Sequence, residues 1–186
     1  NYDPFVEAIG DAVSAAWQRD TLLTVYDYGD DLEMAAHILR QLDQRPCAGV
    51  ILASPVTRAF DFSPFDALIN KPVVLLNQYD PQRPLLPTFL PDDRANACQI
   101  VNHLLSQGIT RIAHIMGDDW MDASVLRLEG YRQSLEQAGI AVDEALIKQT
   151  DWSLNATFNA TLELMHLPEP PQAIFCASDW MTLGCY

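Results

Sequence analysis

The chain has 186 residues, 49% hydrophobic and 19% charged, which suits a globular protein with one sizeable core or two small ones and argues against disorder. Its formal net charge of −14 argues against this segment gripping nucleic acid, because such binding is driven by Lys and Arg displacing counterions from phosphate. No apolar run is long enough to span a bilayer, and neither a membrane span nor a secretory leader is expected.

In chain order, Asp3 can cap a first helix with Pro4 in its first turn, and Phe5, Ile9, Val13, Ala16 and Trp17 form an inward stripe at helical spacing. Leu22 to Tyr26 reads as a short strand. Asp30 or Asp31 starts a second helix through Leu32, Ala35, Ile38, Leu39 and Leu42, stopped by Pro46, and Gly49 to Ala53 is the next strand. Ser63-Pro64 opens a short helix, and Val73 to Leu76 is a strand. From Gln78 to Pro91 the chain carries Pro81, Pro84, Pro87 and Pro91, too many for a helix or central strand, so an exposed connection is predicted with an edge strand around Thr88 to Leu90.

A helix from about Arg94 to Ser106 ends at Gly108, and Ile112 to Met116 is a buried strand ending at Gly117. After a polar loop, Ser124 can cap a helix whose Val125, Leu128, Tyr131, Leu135 and Ala138 recur at three- and four-residue steps up to Gly139. Leu146 to Thr150 then reads as a strand and Ser153 to Met165 as a helix. After Pro168, Pro170 and Pro171 comes the strand Ala173 to Ala177, and a last helix starts at Asp179. Strands alternating with helices at this pace imply βαβ units and mainly parallel sheets. Ligands of such sheets bind beyond the carboxyl ends of the strands, so the loop from Gly117 to Ser124 lies where a small molecule would sit, with Arg127 facing that mouth.

Cys47, Cys98, Cys176 and Cys185 show no Cys-x-x-Cys or zinc spacing and read as buried thiols of a reducing compartment. His37, His103, His114 and His166 are scattered, so neither a metal nor a cofactor is expected. There is no nucleophile elbow, Gly-rich phosphate loop or dinucleotide fingerprint, and the acid pairs Asp92-Asp93 and Asp118-Asp119 lack a partner base; an enzyme is not expected.

The strand ending at Gly117, followed by Ser124, Arg127, Gly130-Tyr131, Leu135 and Gly139-Ile140, resembles the effector-binding domain of LacI/GalR-family transcription regulators. Asp3-Pro4-Phe5, the run Cys47 to Leu52, Pro72 to Asn77, and Asp92-Asp93 through Ala97 to His103-Leu104 and Gly108 are similar to the same family, as are Arg111-Ile112-Ala113, Asp151-Trp152-Ser153 and Ala173 to Asp179 with Met181 and Leu183-Gly184. The resemblance covers almost the whole chain. It implies a periplasmic-binding-protein-like type I fold, α/β with two similar parallel-sheet subdomains, here 1–108 and 109–186, crossed near Gly108 to Arg111, with the ligand in the cleft. It also implies a longer protein: the first strand, the end of the second subdomain and an N-terminal helix-turn-helix headpiece are expected outside this segment.

Arg127 offers a planar fork that can clamp vicinal hydroxyls or a carboxylate, or it can pair with Asp122 or Glu129 on its own helix. The family's ligand arginine matches this position. Trp152, just past a strand end, can stack on a sugar ring or base, or plug the core; the family's ligand-packing aromatic matches it. Phe5 is a weaker case of the same kind. Asp179 can accept hydroxyl bonds or cap the last helix, and Ser54, Asp93 and Ser124 are further candidate contacts. This sequence departs from the family at Asp93 and Ser178, where Asn is usual, at Ala123, where a hydroxyl is common, and at Gln78, often Arg.

The function implied is the effector-binding and dimerisation core of a cytoplasmic transcriptional regulator, a repressor responding to a sugar, nucleoside or purine. It would act as a homodimer that reaches operator DNA through the headpiece. The alternative is a periplasmic sugar-binding protein of a transport system, which shares the fold; four unpaired cysteines suit the cytoplasm better.

Overall fold

The computed structural model of the chain describes residues 4–29, 31–68 and 70–186, the side chains of residues 4–6, 55, 56, 67 and 68 excepted. Two helices, α1 (Pro4–Trp17) and α2 (Leu32–Asp43), precede β1 (Val50–Ala59), a 3₁₀ helix at Ser63–Leu68, β2 (Val73–Tyr79) and β3 (Thr88–Phe89). Next come α3 (Asp93–Ser106), β4 (Ile112–Met116), α4 (Asp122–Gln137), β5 (Ile147–Gln149), α5 (Leu154–Met165), β6 (Ala173–Cys176) and α6 (Asp179–Gly184). The chain forms two compact units, Asn1–Pro55 with Phe60–Thr88, and Val56–Ala59 with Phe89–Tyr186.

In the first unit the strand order is β1-β2-β3. The Val50 N–H donates to Pro72 O at the start of β1 and the Phe60 N–H to Tyr79 O just past its end, so β1 and β2 run in the same direction. Asp31 caps α2, its Oδ1 accepting from the N–H groups of Glu33 (2.9 Å) and Met34 (3.0 Å). The capped helix buries Ala35 and Leu39 against Leu52, Phe62, Phe65, Val73 and Leu75. β1 continues beyond Ala53 through Pro55, which a strand tolerates at a sheet edge, where the missing N–H goes unused.

Two readings of this unit are corrected. Leu22 to Tyr26 forms no strand; Leu22 is 83% exposed, and none of the described strands lies beside it to complete a ladder. Of the stripe expected to face inward from α1, Val13 and Trp17 are exposed. Asp3 lies outside the described residues, as does the side chain of Phe5.

The second unit is built on a parallel sheet of order β5-β4-β6. His114 is in register with Ile147 on one side and Phe175 on the other. Every residue of β4 is buried, as expected of a central parallel strand covered on both faces. Its alternation divides the core in two. Ile112 packs with Ala97, Val101, Tyr131, Leu135 and Phe175 under α3 and α4. Ala113 and Ile115 pack with Ala160, Leu164 and Met181 of α5 and α6. The helices α3 and α4 lie so close that a Cβ on Gly130 would stand 2.4 Å from Arg94 O and 2.8 Å from Ala97 Cβ. By its contacts α3 thus belongs to the second unit, and the junction Gly108 to Arg111 falls inside that unit.

The amino edge of this sheet is tied by polar bonds. Gln172 Oε1 accepts from the N–H groups of Thr110 and Arg111 at 3.0 Å, and Arg111 donates through Nε to Glu169 O and through Nη1 to Asp143. A cavity of about 80 Å³ there is lined by Arg111, Tyr131 and Asp143. The tyrosine hydroxyl is committed to Ile112 O at 2.8 Å. The opposite, carboxyl edge is where polar groups stand open.

Candidate functional site

Arg127 and Asp93 meet across α4 and α3. The arginine Nε donates to Asp93 Oδ1 at 2.8 Å, and Nη2 lies 2.7 Å from the same oxygen. Nη1 donates to the backbone oxygen of Ala177, just past β6. Glu129, one of the two partners weighed from sequence, pairs with Arg94. Asp93, in the first turn of α3, is 2% exposed, whereas the arginine side chain is 28% exposed. Its Oδ2 has no hydrogen-bond partner among the described residues. A carboxylate this buried requires the arginine, since removing one partner of a buried ion pair costs about 3–5 kcal/mol.

Ser124 does not cap α4. The helix starts at Asp122 after Met121, which makes no side-chain cap bond, and Ser124 is fully buried in the first turn with Oγ donating to Gly117 O at 3.0 Å. That bond folds the start of α4 back onto the end of β4. The hydroxyl acts as a brace for the loop that a ligand would meet.

Trp152 follows β5 with φ at +66°, a conformation that a bulky residue adopts only when its surroundings impose it, at a cost of about 1–3 kcal/mol. Upstream, the Thr150 N–H and hydroxyl both donate to Met116 O, at 2.9 and 3.1 Å. Downstream, Asp151 Oδ1 accepts from the Ser153 N–H at 3.1 Å, and bonds from Ser153 hold that carboxyl below the usual carboxylate range. The indole is thereby pressed onto the end of β4: a Cβ on Gly117 would lie 1.9 Å from Trp152 Cε2. Only glycine leaves room for the ring. Nε1 is buried and has no hydrogen-bond partner among the described residues.

Asp179 is not the cap of α6 either; Ser178 is, with Oγ accepting from the Met181 N–H at 3.2 Å. Asp179 stays exposed, its Oδ1 accepting only from the adjacent Trp180 N–H among the bonds it makes. Arg127, Asp93, Trp152 and Asp179 thus come from four elements to the carboxyl edge of one sheet. Ser54 and Phe5 belong to the first unit; Ser54 is buried, and the Phe5 side chain lies outside the described ones.

Two residues escaped the sequence reading. Each strand of this sheet is followed within a few residues by Asp-Trp: Asp119-Trp120 after β4, Asp151-Trp152 after β5 and Asp179-Trp180 after β6. Because the strands are parallel, all three dipeptides fall on the same edge. Trp120 is 60% and Trp180 43% exposed. The threefold repeat of the dipeptide is the signal that identifies them.

These groups can bond and stack on a small molecule, and no nucleophile with a partner base stands among them. No three of His, Cys, Asp and Glu come together as a metal-binding group among the described residues, and no described helix is long and apolar enough to cross a membrane.

A parallel sheet covered by helices, with polar groups gathered at its carboxyl edge, is the arrangement of open α/β domains, in which ligands meet the ends of the strands. Residues 2–186 match the protein-family model described as periplasmic binding proteins and sugar binding domain of LacI family, and the chain belongs to that family. The HTH-type transcriptional repressor CytR of Escherichia coli is 40% identical over 126 residues, 65% of this chain and 37% of that repressor. The HTH-type transcriptional regulator DegA of Bacillus subtilis is 32% identical over 148 residues, 77% of this chain and 42% of DegA. The chain therefore matches less than half the length of either regulator. Among solved structures, a Rhizobium etli protein classed as a LacI-family transcriptional regulator superposes with a TM-score of 0.89 at 23% identity, over 99% of this chain and 67% of that one.

Proposed function

We propose that the chain is the effector-binding domain of a bacterial transcriptional repressor, and that its effector is held at the carboxyl edge of the β5-β4-β6 sheet by Arg127 and Trp152. The observation that carries this reading is the coincidence at that edge of a partly exposed guanidinium and an indole with an unpartnered N–H, in a chain whose relatives are named as repressors and regulators. Those names favour regulation over solute transport.

In the same reading the domain has two subdomains, forms a homodimer and passes effector binding to operator DNA through an N-terminal helix-turn-helix headpiece, by favouring one of two conformations. It does no chemistry on its ligand. The cytoplasm is its compartment, in keeping with relatives named as transcriptional repressors and regulators.

The test is a thermal-shift screen of the full-length protein against sugars, nucleosides and purines. A true effector at a hundredfold excess over its Kd stabilises by about 2.7 kcal/mol. Arg127→Lys keeps a positive charge beside Asp93 but loses the planar fork, and Trp152→Ala removes the stacking face. Each should abolish most of the ligand-induced shift measured against its own unliganded baseline. An undiminished shift in both variants would remove these residues from the site.

A further inference from the structure

We infer that Cys176 and Cys185 form a redox-modification site, a pair of facing thiols that a small disulfide such as glutathione disulfide converts reversibly into an intrachain bridge. The inference is independent of where an effector binds.

Cys176 ends β6, and Cys185 lies just past the last residue of α6. Both are half-buried thiols packed against the core of Ala113, Ile115 and Met181. Their sulfurs stand 3.2 Å apart, one thiol donating to the other. A disulfide needs about 2.05 Å, so from 3.2 Å the two atoms must close by roughly 1.2 Å. Cys185 can supply that movement, because helix ends give more readily than helix centres. Cys47 and Cys98 direct their thiols at backbone oxygens instead, of Leu42 at 3.6 Å and of Gly130 at 3.4 Å.

Two thiols can also hold a metal, but a structural zinc takes four ligands, and no third His, Cys, Asp or Glu joins this pair among the described residues. Where most thiols are kept reduced, a close dithiol serves as a redox sensor and not as a permanent staple.

Burial, and then the neighbouring Cys185, push the Cys176 thiol up to about 12. Such a thiol is a poor first nucleophile, which leaves Cys185 as the point of entry. Cys185 loses its proton and its sulfur attacks one sulfur of glutathione disulfide; the glutathione S–S bond breaks, and one glutathione leaves as a thiolate that takes up a proton. Cys185 now carries a mixed disulfide, and its thiol no longer raises Cys176. Cys176 then gives its proton to water, its sulfur attacks Cys185 Sγ, and the second glutathione departs and is protonated. Two protein thiols are oxidised to one disulfide, and one glutathione disulfide is reduced to two molecules of glutathione. Excess glutathione runs the same steps backward. The bridge fastens the end of α6 to the end of β6, across a stretch that holds Ser178, the cap of α6, and Ala177, whose backbone oxygen receives Arg127.

The experiment treats the full-length protein with glutathione disulfide, quenches it in acid, alkylates the remaining thiols after unfolding and digests with trypsin. Residues 149–186 contain no Lys or Arg, so both cysteines stay in one peptide, which is weighed and sequenced by mass spectrometry. The expected product is that peptide two hydrogens lighter than its reduced form, with neither Cys176 nor Cys185 alkylated. Dithiothreitol should return both to the alkylatable state. Cys176→Ser should trap the glutathione adduct on Cys185, because no second thiol displaces it, whereas Cys185→Ser should leave Cys176 mostly unmodified. Amide exchange over residues 179–185 should slow on oxidation and recover on reduction.

A peptide that stays alkylated at both positions, or that carries glutathione on both with no internal bridge, would overturn the site. An adduct that forms on Cys176 in preference to Cys185 would overturn the order of attack. Exchange unmoved in the bridged protein would overturn the restraint on α6.

Discussion

His114 lies between two rings, 4.7 Å from Phe175 and 5.4 Å from Tyr131, all three stacked. Its Nδ1 is 2.9 Å from Phe175 O, and since a carbonyl has no proton to give, Nδ1 carries the hydrogen and donates. Nε2 has no partner among the described residues. Burial pushes the imidazole down to about 4, against a bond to Phe175 that favours the charged form. In the unfolded chain it titrates near 6.5. The unfolded state therefore binds the extra proton first. The stabilising contribution is complete above about pH 6.5 and is lost as pH falls toward 4, by ~1.4 kcal/mol per unit in between. Urea midpoints of the full-length protein should drop between pH 7 and pH 5, and His114→Gln should flatten that part of the dependence. An unchanged slope in the variant would assign the acid sensitivity to other groups. At this scale the sequence was only partly legible. Arg127, Trp152 and Asp93 were singled out from sequence, but the pairing of Arg127 with Asp93 was not, since the ion pair joins two helices whose crossing depends on Gly130 and not on local spacing.

Two glycines place the elements that carry the site. At Gly130 the close crossing of α3 and α4 brings Asp93 within reach of Arg127; Gly117 lets the Trp152 indole rest on the end of β4. Gly130→Ala inserts a methyl where Arg94 O and Ala97 Cβ already stand. Overpacking of this kind costs about 1–3 kcal/mol, read as a lowered urea midpoint. Gly117→Ala should displace the indole, and the expected result is a changed tryptophan emission with loss of the ligand-induced shift. Unaltered emission and ligand response would show that the ring does not depend on that contact.

Most element positions follow from periodicity and punctuation, as with β4, α5 and its Ser153 cap, and the short β3 among the prolines. The misses share a cause. The start of α6 at Asp179 was read correctly, but the cap of α4 was placed at Ser124, three positions after Met121, and Asp179 was weighed as a cap one position after Ser178, because a side chain that can cap is recognised locally, whereas the bond it makes is chosen by tertiary neighbours. The segment from Leu22 to Tyr26 has strand composition but no described strand beside it. Strand propensity takes effect only with a partner.

For the whole molecule, membership of the family was legible because its pattern is spread along nearly the entire chain, and the match over residues 2–186 agrees with that extent. The division into compact units was less so. α3 follows the first sheet in sequence but packs on α4, a contact that chain order alone does not reveal. The proposed regulator works only if occupation of the β5-β4-β6 edge changes affinity for DNA at another site, and the size of that change equals the ligand's differential affinity for the two conformations, typically 1–3 kcal/mol or about 5–150-fold.

The most direct measurement is operator affinity of the full-length protein at fixed salt, with and without the ligand that the screen identifies, for the unaltered protein and for Arg127→Lys. The account predicts a change of at least about fivefold that disappears in the variant. Saturation by that ligand with operator affinity unmoved would contradict it.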